Sequence, residues 1–586
     1  MKVFLDLAWF FKQEKRAYIT GVFMLGLVAL LVLIPPKVIG MIADHIDKGT
    51  LSTGVLLKWM LVLIVAAISM YLLRYYWRIR IFGSGVKLSM QLRNQLYHHF
   101  TTMSQSFYQK SRVGDLMAHA TNDLQAIQQT AGLGVLTLVD SLVTGSFVMI
   151  TMATTISWKL TLISLIPMPL MALLTTWYGS HLHKRFHFAQ EAFSNLNDKT
   201  QESITGIKVI KTFGQEKEDI ADFRRQSEDV VEKNISVAKI DVLYDPTISI
   251  IVGTSFFLAI TFGSRSVLSG ELTIGQLISF TTYLGLLIWP MFAFGWLFNI
   301  VERGRASYDR VSSLLAESIE IKNAKDAINQ PPSGDIRYHF PQYSYPNETK
   351  PVLQNIDFVL KRGETLGIVG KTGSGKTTLL KLIIREFELQ EGTITFGGKP
   401  INAYTIESLR SAIGYVPQDH FLFSATIAEN IAFARPDASL EEIYQAARMA
   451  NIHEDILQFT DSYETMVGER GVSLSGGQKQ RISIARALLM NPEVLILDDS
   501  LSAVDAKTEE AILSSLKENR NGKTTLLTSH RLSAIGHANL ILVLDEGKII
   551  QRGTHEELVE QEGWYKDMYF RQQLEELVEH GGKANV

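Results

Sequence analysis

The 586-residue sequence contains no cysteine. That absence excludes disulfides, thiolate metal sites and cysteine nucleophiles, and it fits a reducing cytoplasmic setting. Net charge is also nearly absent, −3 in all, so there is no basic footprint of the kind that holds nucleic acid and no such partner is expected. Proline is scarce, at 15 residues. The pair Pro35–Pro36 is expected to bend an apolar helix, and Pro246 to open another where a missing N–H is tolerated. The opening stretch MKVFLDLAWFFKQEKR lacks a small-residue cleavage site after a short apolar core. It reads as a segment at the lipid boundary rather than a removable signal, or as a plain flank of the first span.

What the chain has in quantity is long apolar runs. A composition of 46% hydrophobic and 20% charged residues conceals a division: the first half is rich in such runs, and the second resembles an ordinary soluble domain. A helix needs about 20 mostly apolar residues to cross the hydrocarbon of a bilayer. Six segments qualify: 17–41, 54–79, 131–155, 157–180, 246–268 and 272–301. Lys and Arg concentrate between spans in 78–130 and 181–245, whereas the short turns hold only Lys48, Lys159 and Arg265. Short positive loops stay in the cytoplasm, so both termini are expected there.

The two basic connections are far longer than an ordinary helix–helix loop. Helical apolar spacing makes each a pair of helices continuing out of the membrane, with turns expected at 111–127 and 202–216. The charged stretch near 311–335, broken by Pro331, Pro332 and Gly334, reads as a linker. The expected division is therefore a six-span all-α transmembrane domain over 1–310, a linker over 311–335, an α/β P-loop nucleotide-binding domain over 336–575 and a tail over 576–586.

The soluble part carries GIVGKTGSGKTTLL, a G-x-x-x-x-G-K-[ST] loop between an apolar strand and a helix. Gly370, Gly373 and Gly375 let backbone N–H groups close round a β-phosphate at a helix N-terminus, Lys376 reaches the β/γ-phosphates and Thr377 takes Mg²⁺. Lys371, Thr372, Ser374 and Thr378 complete the ATP-binding run. In VLILDD, Asp498 would stand in the Mg²⁺ shell at the carboxyl end of a second strand. LSGGQ places Ser475, Gly476, Gly477 and Gln478 at the start of a helix whose free N–H groups suit a second molecule's γ-phosphate.

At these residues the chain resembles the ATP-binding cassette (ABC) exporters, along nearly its whole length. The resemblance implies that Tyr345 stacks on adenine, that Gln418 senses Mg²⁺, and that His530 touches the γ-phosphate. It implies a contact across two cassettes at SAVD, ending at Asp505, and coupling turns at Gly114–Asp123 and Thr205–Phe213. In that family the residue after the Mg²⁺-binding acid is usually a glutamate that orients or deprotonates the attacking water, and here it is Asp499. The shorter arm is expected to bind ATP well but to turn it over slowly, unless a local backbone shift restores its reach. Because each cassette completes its ATP site with the other's signature helix, a slow site beside an intact signature implies a non-identical second half-transporter. The pattern resembles the bacterial heterodimeric multidrug exporters, most closely their BmrC-like subunit, which move amphipathic drug-like compounds across the plasma membrane. Alternatives are a homodimeric lipid or peptide exporter and a regulatory membrane subunit with a nucleotide gate.

Candidates for the substrate path are fewer. Asp140 inside a span could attract cationic compounds or could bond to neighbouring helices. Tyr283, Trp289 and Trp296 belong to a sixth span crowded with rings, which could line an adaptable apolar site or pack and face lipid.

Overall fold

A computed structural model describes residues 2–346, 348, 350–468 and 474–581; the tail expected from 576 leaves the described residues at 582. The chain forms two compact units, Met1–Thr101 with Val113–Glu317, and Thr102–Arg112 with Ser318–Val586.

The first unit is helical. Five stretches among the described residues are long and apolar enough to cross a membrane: Lys15–Asp47, Thr53–Thr102, Val113–Leu165, Glu216–Leu268 and Ile274–Ala316. The segment 157–180, expected as a span of its own, is not among them. It is divided between Trp158–Leu165 and Met168–Thr205 by Pro167, which has no N–H to carry the helix through. Ser157, extended at φ −160° and ψ 120°, starts the first of these pieces by accepting from the Leu160 N–H. Pro35 and Pro36 follow a break between helices Lys15–Leu31 and Ile34–Asp47.

Two helices of this unit approach unusually closely. A Cβ on Gly40 would fall 1.9 Å from Ser279 Oγ, and one on Gly275 would fall 1.9 Å from the Gly40 carbonyl oxygen. Small residues permit this approach, which suits an environment where packing rather than water expulsion joins helices. Polar groups close the seam. Asp44 accepts from Thr273 Oγ1 at 2.8 Å and from the Gly275 N–H at 2.7 Å, a carboxylate on a helix N-terminus. Ser279 Oγ donates to the Pro36 carbonyl at 2.9 Å and Tyr283 OH to that of Leu33 at 2.7 Å.

Three expectations are corrected. The first cytoplasmic turn lies earlier than 111–127: the 50-residue helix Thr53–Thr102 ends, a short helix Gln105–Lys110 follows, and Val113 onward is helical again. Gly114–Asp123 is therefore helix rather than turn. Asp123 is buried, receiving Ser307 Oγ at 2.8 Å and Arg310 Nε at 3.0 Å, with His119 Nδ1 at 2.7 Å. Its charge needs that company where water is absent. Third, the segment expected to begin a linker at 311 is still helix to Ala316. The second turn falls near its expected place: Gly206 separates Met168–Thr205 from Ile207–Phe213, and Gly214 adopts the left-handed φ of 64° before Glu216–Asp241.

In the second unit the strands are β1 (Ile336–Tyr343), β2 (Leu353–Leu360), β3 (Thr365–Gly370), β4 (Thr393–Phe396) and β5 (Lys399–Pro400). Then come β6 (Ile413–Val416), β7 (Val494–Asp498), β8 (Thr524–Thr528), β9 (Leu540–Asp545) and β10 (Lys548–Gly553). They build a four-stranded sheet in the order β2-β1-β4-β5 and a six-stranded sheet in the order β10-β9-β3-β8-β7-β6. In the larger sheet β6, β7, β8, β3 and β9 pair in parallel, and β10 pairs antiparallel to β9. Such sheets are covered on both faces, so their strands read as unbroken apolar runs; all five residues of β7 are buried. The carboxyl ends of β3, β8 and β7 lie side by side, and chemistry in an open α/β sheet gathers at that edge.

Candidate functional site

The loop after β3 is built on glycine. Gly370, Gly373 and Gly375 have φ of 147°, 82° and 99°, a region that side-chain-bearing residues rarely adopt. At Gly370 space is lacking as well, since a Cβ would meet the Leu544 carbonyl oxygen at 2.0 Å. The helix Lys376–Ile383 starts directly after Gly375, so its first N–H groups face the loop. Lys376 Nζ donates to the carbonyls of Gly370 and Lys371, both at 2.9 Å. Burial pulls its pKa down, and Asp499 and Asp498 oppose that shift. The Ser374 hydroxyl is buried without a partner, an orphan that a phosphate oxygen would satisfy.

Asp498 ends β7 and is buried. Its Oδ1 accepts from Thr377 Oγ1 at 3.1 Å and from Thr528 Oγ1 at 2.9 Å, and its Oδ2 accepts from Tyr415 OH at 3.2 Å. Thr377 and Asp498 thus meet as a hard-oxygen pair of the kind Mg²⁺ takes together with substrate phosphates. No cluster of three or more His, Cys, Asp or Glu suited to a metal exists among the described residues, and such a cage is not what a phosphate-bridging Mg²⁺ requires. Burial, helped by the adjacent Asp498 charge, pushes the Tyr415 phenol far above its ordinary pKa, so it acts as a donor.

Asp499 sits one residue beyond, with φ 46°. Its N–H donates to Thr528 Oγ1 at 2.7 Å and its Oδ2 accepts from Gln418 Nε2 at 3.3 Å. Burial raises its pKa above the ordinary 3.8; Asp498 adds to the rise, while His530 and Lys376 work against it. The sheet thus brings together Lys376, Thr377, Gln418, Asp498 and Asp499. His530 follows β8, where its carbonyl accepts from Gln572 Nε2 at 2.8 Å. Tyr345 lies nearby, its OH 2.8 Å from Thr378 Oγ1 and its ring edge-on to Phe387 at 5.0 Å.

Ser475, Gly476, Gly477 and Gln478 stand elsewhere. Ser475 caps the helix Gly476–Leu489 in a reciprocal box with Gln478. Together with Arg481, Ala503, Val504, Asp505 and Thr508 the first three line a hollow of about 330 Å³. A Cβ on Gly477 would lie 3.0 Å from the Ala503 carbonyl oxygen. Asp505 is a helix cap, accepting from the Thr508 N–H at 3.0 Å. Gln480 joins the two places, its Nε2 3.5 Å from the Asp499 carbonyl and its Oε1 accepting from the Ala503 N–H at 3.1 Å.

In the helical unit Asp140 accepts from Thr144 Oγ1 at 2.9 Å, one turn along its own helix rather than on a neighbouring one. Tyr283 is buried and donates to the Leu33 carbonyl, whereas Trp289 and Trp296 are exposed. The motif reading missed Thr528, Tyr415 and Gln480. The one available signal was a hydroxyl residue ending an apolar strand two positions before His530.

Residues 18–291 match the ABC transporter transmembrane region and residues 353–502 the ABC transporter domain. The multidrug resistance-like ATP-binding protein MdlA of Escherichia coli is 49% identical over 98% of this chain and 97% of its own length. The probable multidrug resistance ABC transporter ATP-binding/permease protein YheI of Bacillus subtilis is 47% identical over 99% of each. A bacterial Atm1-family ABC exporter solved with ATP bound superimposes with a TM-score of 0.77 at 26% identity, covering 95% of this chain and 98% of that one. With its helical unit, its P-loop and its paired acids each in the matched regions, the chain belongs to the ABC transporter family, as an ATP-hydrolysing transporter of the exporter type with transmembrane and ATP-binding parts in one polypeptide.

Proposed function

We propose that this chain is one half of an ATP-driven multidrug exporter whose second half is a different but homologous chain. The transmembrane part, whose last helix ends at Ala316, spans the bacterial plasma membrane six times, with both termini and the nucleotide-binding domain in the cytoplasm; 317–335 links the two, and 336–575 binds nucleotide. Closure of two cassettes on ATP favours the outward-facing arrangement of the spans, and hydrolysis resets them. ATP does this through its differential affinity for the two arrangements. Amphipathic drugs and membrane lipid are the expected ligands of the helical part, and the names of the relatives favour the same class.

Backbone N–H groups of the loop, Lys376 and Ser374 hold the phosphates, and Tyr345 supports the base. Thr377, Asp498 and Gln418 would hold Mg²⁺, which when bound neutralises phosphate charge. Ser475–Gln478 serve the partner's nucleotide. His530 donates to a γ-phosphate oxygen, and Asp499 orients the water. The observation that carries the two-chain reading is the anchoring of Asp499: with its N–H held by Thr528 at 2.7 Å, a backbone shift that would restore a glutamate's reach is opposed. One site is therefore slow, and a competent one must be completed on another chain.

The test is ATPase activity of the purified chain alone, of its co-purified partner alone, and of the two together in vesicles, with and without amphipathic cations. The two-chain reading expects drug-stimulated turnover only in the assembled pair. Vigorous turnover and transport by this chain alone would replace it with a homodimeric lipid or peptide exporter, and an assembled pair indifferent to every transported compound would point to a regulatory subunit.

A further inference from the structure

Asp498 is approached by three hydroxyls, and only that of Thr377 belongs to the nucleotide loop. The other two are delivered by the sheet. Thr528 is the direct partner of Asp498 in the β7–β8 register, and Tyr415 pairs with Ile496, two residues before Asp498. Because paired residues and residues two apart share a face, all three side chains project together. Asp498 and Thr528 are each 1% exposed, so water cannot replace a donor lost there, and a buried charge depends on its hydrogen bonds.

The direction of the Thr528 bonds is fixed. The Asp499 N–H can only donate, so Thr528 Oγ1 accepts it at 2.7 Å, and the single hydroxyl proton is then committed to Asp498 at 2.9 Å. We propose that Thr528 and Tyr415 are positioning residues that fix both oxygens of Asp498 and, through Thr528, hold the backbone of Asp499. The proposal rests on reading Asp498 as the acid of the Mg²⁺–ATP site. In this role both act through Asp498, to which each is bonded. Removing either hydroxyl takes a sheet-fixed donor from the carboxylate, and a bound Mg²⁺ would meet a less well oriented acceptor.

The experiment is binding of a fluorescent ATP analogue to the full-length chain across a Mg²⁺ titration, together with metal-free binding. Outer-shell partners of a metal ligand are commonly worth about tenfold in metal affinity. Thr528→Val is therefore expected to raise the half-saturating Mg²⁺ concentration about tenfold, and Tyr415→Phe, which loses one bond on the other oxygen, several-fold. Metal-free binding should stay within about twofold, and Thr528→Ser, which keeps the hydroxyl, should restore the parent Mg²⁺ dependence. Parent-like dependence in both Thr528→Val and Tyr415→Phe, or a Thr528→Ser as impaired as the valine, overturns the proposal. Should Thr528→Val lose metal-free binding as well, Tyr415→Phe decides: a raised Mg²⁺ requirement sustains the proposal and a parent-like one ends it. A parent chain that binds the analogue with no Mg²⁺ dependence overturns the reading of Asp498 itself and this proposal with it, whereas an ordinary dependence shared by both variants overturns the proposal alone.

Discussion

Replacing Asp499 with glutamate should accelerate hydrolysis at this chain's own P-loop. The added methylene advances the carboxylate by roughly one C–C bond, about 1.5 Å. The backbone cannot make the same advance, because the Asp499 N–H is tied to Thr528 at 2.7 Å in a residue already at φ 46°. Misplacement of a reacting group by ~1 Å costs on the order of a hundredfold, so Asp499→Glu should recover about that factor, or ~2.7 kcal/mol of barrier. The assay is single-site turnover in the proposed two-chain assembly with the other site inactivated. A change of less than about twofold there would refute the reasoning, since an unaltered rate means that the shorter side chain already reaches.

Two further outcomes are expected. Gly40→Ala would place a methyl 1.9 Å from Ser279 Oγ and 2.3 Å from the Gly275 carbonyl; overpacking of this kind costs about 1–3 kcal/mol, and thermal unfolding in detergent should report a lower midpoint, whereas an unchanged one would mean the seam yields freely. Glu320, which Ser106 and Ser104 contact as hydroxyl donors and which Lys110 faces at 3.6 Å, has its pKa lowered by the Ser106 bond first, against the effect of burial, with Ser104 and Lys110 adding to the lowering. A depressed carboxylate stabilises above its unfolded value, 4.5 here, and loses that contribution as pH falls further. Protection of the Gln105–Lys110 amides, taken relative to their intrinsic exchange rates, should therefore fall below that pH, and Glu320→Ala should lower it at neutral pH and abolish the acid dependence; protection indifferent to both would show that the segment is held by other contacts.

The phosphate loop, the acid pair and the signature helix are contiguous motifs, so each was legible before any coordinates. Their chemistry lies in local backbone conformation and in side chains a few residues apart. The apolar helices were legible for a similar reason, because transfer into hydrocarbon sums over neighbours in sequence. Boundaries were less secure. Pro167 splits a segment whose hydropathy alone is continuous, and the helix ending at Ala316 carries on through Val311–Ala316, an uncharged stretch placed in the linker. The first cytoplasmic turn was misplaced because Gly114 sits within a helix once the chain packs, and Asp123 turned inward because Ser307 and Arg310, 184 and 187 residues away, supply its donors.

The sequence by itself determined the chemistry on offer: a glycine-rich loop of the phosphate-binding pattern, an acid at the end of an apolar strand and an aspartate where a longer acid is usual, laid beside apolar helices. Only the tertiary structure decided how those groups are held. Thr528 and Tyr415 reach Asp498 from strands 30 and 83 residues away, and a parallel sheet brings such distant positions into register through backbone hydrogen bonds that leave no local pattern in the residues they join.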